Sequence, residues 1–195
     1  MLVVERMLRI VQEGVYWLVS LLFAGDAENE EVATRIAFNA NAETVWNHIM
    51  FYEEISGRSP LILRALLTQP IRTQGDKSRA GAKVRCEYRR GHLIKRITTV
   101  EPPNLLQFEV VEQRLGIERC VLTLGGSYQI HTSGEATEIV LITKYRAYLR
   151  PRYLWRPLEV FLATRLHYHI LRSLGAAVMA RRQAMRPVAA ESVAP

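Results

Sequence analysis

The sequence predicts an α+β protein: a strongly curved antiparallel sheet closed over one long C-terminal helix, with an extra helix at the N-terminus. Two observations carry this prediction. Five β-patterned segments follow one another between residues 83 and 149 with hairpin-length breaks, and after Pro157 an apolar pattern of helical period runs to about residue 182. A chain of 195 residues supports one sizeable core, whereas two complete domains would each be small and poorly buried. The expected organisation is an N-terminal helix over residues 1–24, one domain over 31–182 and an unstructured tail over 186–195.

Taken in order, residues 2–23 are largely apolar, but Glu5, Arg6, Arg9, Gln12 and Glu13 interrupt them. The uninterrupted run from Val15 to Phe23 is too short to cross a bilayer of about 30 Å, and a secretory signal would place its bases before the apolar run. What remains is a helix that either packs on the domain or lies in a membrane interface, with Tyr16 and Trp17 suited to the latter. The segment GDAENEE, residues 25–31, reads as a polar acidic break. Residues 32–38 alternate as a strand with Val32, Thr34, Ile36 and Phe38 on one side. Residues 42–50 read as a short helix whose apolar stripe is Val45, Trp46 and Ile49, and residues 51–55 as a second, ended by Gly57 and Pro60. Residues 56–82 are irregular around the apolar run LILRALL.

Five segments then read as strands: KVRCEYRR, GHLIKRITTVEP, LLQFEVVEQ, ERCVLTLGGSYQIH and TEIVLITKYRAYL. Turn residues stand between them at Arg90-Gly91, Pro102-Pro103-Asn104, Leu115-Gly116 and Ser133-Gly134, at spacings that suit hairpins and not βαβ crossovers. An antiparallel meander is the consequence. Gly125 and Gly126, inside the fourth of these strands, read as a bulge or sharp bend that curves the sheet. In the final helix, Leu158, Phe161, Leu162, Leu166, Ile170, Leu171, Leu174 and Val178 recur at helical spacing. At 1.5 Å per residue it spans about 40 Å, enough to cross the sheet.

Three motifs strengthen the picture by their order. NANAETVWNHIMFYEEI resembles the opening segment of the Bet v 1/START superfamily, also called the SRPBCC or polyketide cyclase/dehydrase-like group, in which a strand runs into a helical pair. VEPPNLLQFEV resembles that family's hairpin, and TEIVLITKYR its last strand. The resemblance covers about residues 32–174 and implies the helix-grip fold, whose bent sheet cannot lie flush along a straight helix, so that a hollow opens between them. Such a hollow takes an apolar small molecule or lipid, because burying apolar surface gains roughly 25 cal/mol per Å². Members of the group are variously lipid or hormone binders, cyclases, ring-hydroxylase subunits, chaperone activators and coenzyme Q-binding proteins, so the fold by itself does not name a function.

Residue types and parity then nominate a lining. Val84, Cys86 and Tyr88 share one face of their strand, Ile94, Arg96 and Thr98 one face of the next, and Thr143 and Tyr145 one face of the last. With Trp46, Phe108 and Tyr128 these make a wall that is apolar apart from phenols and one guanidinium, Arg96, which could hold a carboxylate or polarise a carbonyl. Phe161 and His169 are the candidates from the C-terminal helix. His167 and His169 point about 200° apart, so they cannot chelate one ion, and one of them is expected to face the sheet. The expected role is a binder or carrier of a hydrophobic small molecule; the alternative is a cyclase or dehydratase-like enzyme using pocket Tyr, Arg or His for acid–base work.

Other chemistries find little purchase. There is no GxSxG elbow, no Walker loop and no GxGxxG fingerprint, so no nucleotide cofactor is expected, and no ligand set for a metal. Cys86 and Cys120 form neither a CxxC pair nor a disulfide framework and read as core thiols of a reducing, cytoplasmic setting. The net charge of +7 comes without any nucleic-acid module. Its arginines gather toward the C-terminal helix, which, with residues 1–24, suits peripheral contact with anionic membrane.

Overall fold

The computed structural model describes residues 2–51, 70–89, 91–133 and 136–184, with side chains excepted at 2–12, 51, 133 and 177–184. The order of elements is α1 (Leu2–Phe23), β1 (Ala24–Phe38), α2 (Ala42–Phe51), β2 (Pro70–Gln74), β3 (Lys83–Tyr88), β4 (Gly91–Glu101), β5 (Leu105–Arg114), β6 (Val121–Ser133), β7 (Ala136–Leu149) and α3 (Arg152–Ala184). The seven strands form one antiparallel sheet in the order β1-β7-β6-β5-β4-β3-β2. Of the expected second short helix at 51–55, Phe51 closes α2 and 52–55 lie outside the described residues, as does the tail at 186–195.

The meander arises where alternating apolar residues meet turn residues, and its curvature arises at bulges. The ladder slips between Ile94 and Lys95, between Ile97 and Thr99, and between Thr123 and Gly125, and each slip bends the strand and raises its twist. Gly125 and Gly126 are needed at the last of these. A Cβ on Gly125 would stand 2.5 Å from the Phe108 carbonyl oxygen, and one on Gly126 would strike the Ile142 carbonyl and crowd the Phe108 ring. The missing side chains let that ring lie across the sheet.

The segment 25–31, read as a break, is instead the first half of β1. Its acidic residues are drawn into the ladder by the basic strand opposite, with Glu31 beside Lys144 and Asn29 beside Arg146 in register. Arg150 also donates to the Asp26 carbonyl oxygen and to the Glu28 carboxylate. Charge pairing across strands outweighs the poor β-propensity of Asp, Glu and Asn.

α2 is capped at its start by the Asn41 side-chain oxygen, which accepts from the Thr44 amide at 2.8 Å. At its other end Lys77 donates to the Ile49 carbonyl at 3.1 Å, satisfying one of the carbonyls a helix end leaves open. Val45, Trp46 and Ile49 are buried as expected and meet Ile139, Leu141, Leu171 and Leu174 in the main core. α3 begins five residues before the expected Pro157, and it tolerates that proline near its start, where the freed carbonyl belongs to the exposed Tyr153. It packs on β1, β7 and α2. The face it presents to the sheet carries Val160, Ala163, His167, Leu171 and Leu174, while Leu158 and Phe161, expected inside, are on the exposed side. α3 is apolar on more than one face, and the sheet selects among them. Among the described residues no helix is long and apolar enough to cross a membrane.

Candidate functional site

Beneath α2 and the second half of α3 the concave face of the sheet leaves a hollow of about 70 Å³. Its apolar wall includes Val84, Ile97, Leu106, Phe108, Ile170 and Leu174. Its polar side is Lys95, Cys86 and Tyr128, with Tyr88 adjoining. Thr73 and Lys77 border both this hollow and a neighbouring cleft of about 250 Å³ against Trp46, Met50, Val100 and Pro102. The inner hollow is less than half the roughly 150 Å³ of an engineered cavity that admits benzene, so side chains fill much of the space that the fold leaves.

Lys95 is the feature that distinguishes the hollow. It sits on β4 between Leu93 and Ile97, both buried, and its Nζ lies 3.9 Å from the centre of the Phe108 ring, a cation–π contact. Burial works against its ammonium; the Cys86 thiol first, then the phenols of Tyr128 and Tyr88, work for it and leave its pKa above the ordinary lysine value. Burial, before any neighbour, raises both phenols. The hollow therefore gathers the Lys95 amine, two phenolic O–H groups and the Cys86 sulfur against apolar walls, with Thr73 and Lys77 at its border. Thr73 donates to the Cys86 sulfur at 3.7 Å. This set can hold an oxygen that carries or develops negative charge, and it can supply a proton to it.

The sequence-nominated residues divide. Cys86, Phe108 and Tyr128 line the hollow, Tyr88 joins them, and Trp46 lines the adjoining cleft. Arg96 does not: it is on the outer face, about half exposed, paired with Glu109. The parity taken for β4 is reversed, so that Leu93, Lys95 and Ile97 face inward where Ile94, Arg96 and Thr98 were expected. The signal that would have found Lys95 is its position two residues from an apolar neighbour on either side.

Tyr145 is buried in a separate small cluster with Val32 and Ala147 under the first half of α3. Its hydroxyl donates to Glu159 and accepts from Arg156. Phe161 is exposed and carries Arg165 over its ring at 5.2 Å. His169 is half-buried, and burial lowers its pKa. The histidine that faces the sheet is His167, held between Thr143 Oγ1 at 2.8 Å and Thr34 Oγ1 at 2.9 Å. Burial, with Lys95 second, pushes its pKa down to about 4. It is a neutral, satisfied core residue.

The same helix covers an ionic cluster. Arg152 grips Glu159 with both terminal nitrogens, at 2.8 and 2.6 Å, and reaches Glu30 at 2.9 Å. Arg156 meets the other oxygen of Glu30 at 2.8 Å. No trio of His, Cys, Asp or Glu placed to hold a metal occurs among the described residues.

No family model and no curated protein matches this sequence. Solved structures do match. An aromatase/cyclase from a Streptomyces species aligns with a TM-score of 0.57 at 14% identity, over 80% of this chain and 98% of its own. A START superfamily protein from Mycobacterium smegmatis aligns at 0.56 and 13% identity, over 77% and 98%. Norcoclaurine synthase from Thalictrum flavum, in complex with dopamine and hydroxybenzaldehyde, aligns at 0.54 and 11% identity, over 84% and 91%. At these identities the likeness is one of fold. The seven-stranded curved sheet gripping a C-terminal helix is the Bet v 1/START-like helix-grip fold that the sequence motifs resemble.

Proposed function

We propose that this helix-grip protein binds a small amphiphile, its anionic or carbonyl oxygen at Lys95 and its apolar body directed toward the cleft between α2 and β4. The observation that carries this reading is the Lys95 ammonium inside the sheet with Tyr88, Tyr128 and Cys86 around it and no carboxylate partner among the described residues. A half-buried cation among apolar walls without a counter-ion is costly, and an anionic guest relieves that cost. The small inner volume favours a compact polar end over a long acyl chain.

A second reading is favoured by the convergence of those groups. Lys95 stands beside Cys86 and two phenols, so one group could hold an enolate oxygen while another delivers a proton. This suits a cyclase or dehydratase-like enzyme, and an aromatase/cyclase is among the proteins of similar fold. His167 takes no part in it, being locked between two threonines.

Native mass spectrometry of freshly purified protein, with the released compound identified, tests the binding reading. A co-purifying molecule with a carboxylate, phenolate or carbonyl end that is lost from Lys95→Met is expected. Retention of the same compound by Lys95→Met overturns the reading. For protein that purifies empty, titration with the fluorescent probe anilinonaphthalene sulfonate serves, and equal affinity of native protein and Lys95→Met overturns it.

A further inference from the structure

We propose that the outer faces of α1 and α3 form a docking surface for an anionic phospholipid membrane. After Glu13, α1 carries no charged residue. Tyr16, Val19, Ser20 and Phe23 turn toward the domain, whereas Val15, Trp17, Leu18, Leu21 and Leu22 are turned away, the two leucines at the end each 65% exposed. An apolar face of this size on a free surface marks an interaction site.

α3 continues that surface. The helices meet where the Phe23 ring stands edge-on to Trp155, with centres 5.2 Å apart, and where the Arg150 amide donates to the Phe23 carbonyl at 2.7 Å. From there Leu154, Leu158, Phe161, Arg165, Tyr168 and Arg172 follow at steps of four and three and form one exposed stripe. It is about 27 Å long at 1.5 Å per residue, and Tyr153 beside it is 83% exposed.

Charge decides the occupant. α3 contains six arginines and a single acid, Glu159, and that acid is taken up by Arg152. Arg165 and Arg172 lie against Phe161 and Tyr168 and have no carboxylate partner among the described residues. A second copy of the chain would bring two such cationic helices together, which like charges oppose. A bilayer bearing anionic lipid accepts the apolar side chains below its headgroups, the Trp and Tyr rings at headgroup level and the guanidiniums against phosphate or carboxylate. The ladder of arginines stacked on aromatic rings fits that boundary. This surface is independent of the hollow and stands whether or not Lys95 binds a ligand.

Flotation of the full chain with phosphatidylcholine vesicles, with and without phosphatidylserine, tests the proposal. The protein is expected to float with the serine-containing vesicles and to lose that binding in high salt. Arg165→Gln with Arg172→Gln, both on the free surface, should weaken partitioning by about 30-fold, roughly fivefold per arginine. Leu21→Ser with Leu22→Ser should abolish it while the circular dichroism spectrum stays unchanged. Equal flotation with both vesicle types, no flotation, or full binding by the arginine pair would overturn the proposal. So would a dimer in sedimentation velocity that Leu21→Ser with Leu22→Ser converts to monomer.

Discussion

Two cations stand where α3 meets the sheet, one on the helix and one on β4, and their surroundings differ. Arg152 is answered on both sides by carboxylates, Glu159 and Glu30. Lys95 is answered by a ring face, a thiol and two phenols, and a cavity adjoins it. A buried charge gripped by carboxylates holds elements together, because withdrawing its partner strands it in a poor solvent. A buried charge left with neutral neighbours beside open space is a place where a guest can complete the pairing, and strained electrostatics of this kind gather at functional sites. The first half of α3 is therefore scaffold, and the second half roofs the candidate site.

Removing a carboxylate from the paired centre should do the most damage. Glu159→Ala leaves Arg152 and Tyr145 short of their shared acceptor and should cost about 3 kcal/mol of stability, read from the urea midpoint. If stability is unchanged, the scaffold assignment of that half fails. His167 gives the next effect. Its folded pKa of about 4 lies below the ordinary histidine value, so the unfolded chain binds more protons between the two. Its contribution is complete above about pH 6.5 and is lost as pH falls toward about 4, to the extent of about 3 kcal/mol. Denaturation midpoints across that range check it, and His167→Gln should flatten the dependence.

Lys95→Met sharpens the contrast from the other side. Removing a cation that has no carboxylate should leave stability within about 1 kcal/mol of the native protein, while affinity for an anionic ligand falls by about tenfold or more. A loss of stability as large as that of Glu159→Ala would make Lys95 a scaffold residue too. The smallest effect belongs to Arg96→Ala. Its exposed pair with Glu109 should contribute less than about 1 kcal/mol, and isothermal titration should show ligand affinity untouched.

The contrast between Arg96 and Lys95 also shows where sequence reading stops. The apolar-polar alternation along β3 places Val84, Cys86 and Tyr88 inward correctly, because β3 pairs with β4 without a slip. Along β4 the same rule assigns the wrong face, since Lys95 and Arg96 are both basic and their identities do not say which is inside. Bulges on either side of Lys95 in the β4–β5 ladder deny the reader a continuous register to count from. GDAENEE reads as a polar break because its residues are poor strand formers, and only the basic partners on β7 and α3 explain its place in the sheet. His169 was nominated in place of His167 for a similar reason: both suit an apolar helix, and which one turns inward depends on the rotation of α3 against β1 and β7.

Local pattern alone establishes the second half of β1, α2 and the strand, hairpin and helix order from residue 83 onward, and the kinship in fold, but it misses β2, Pro70–Gln74, in the stretch read as irregular. Alternation, helical period and turn chemistry are properties of neighbouring residues and survive without knowledge of what packs against them. The position of Lys95, the pairing of Arg152 and the small size of the hollow are properties of residues distant in sequence. They emerge only when bulges set the bend of the sheet and that bend sets how far α2 and α3 can close upon it.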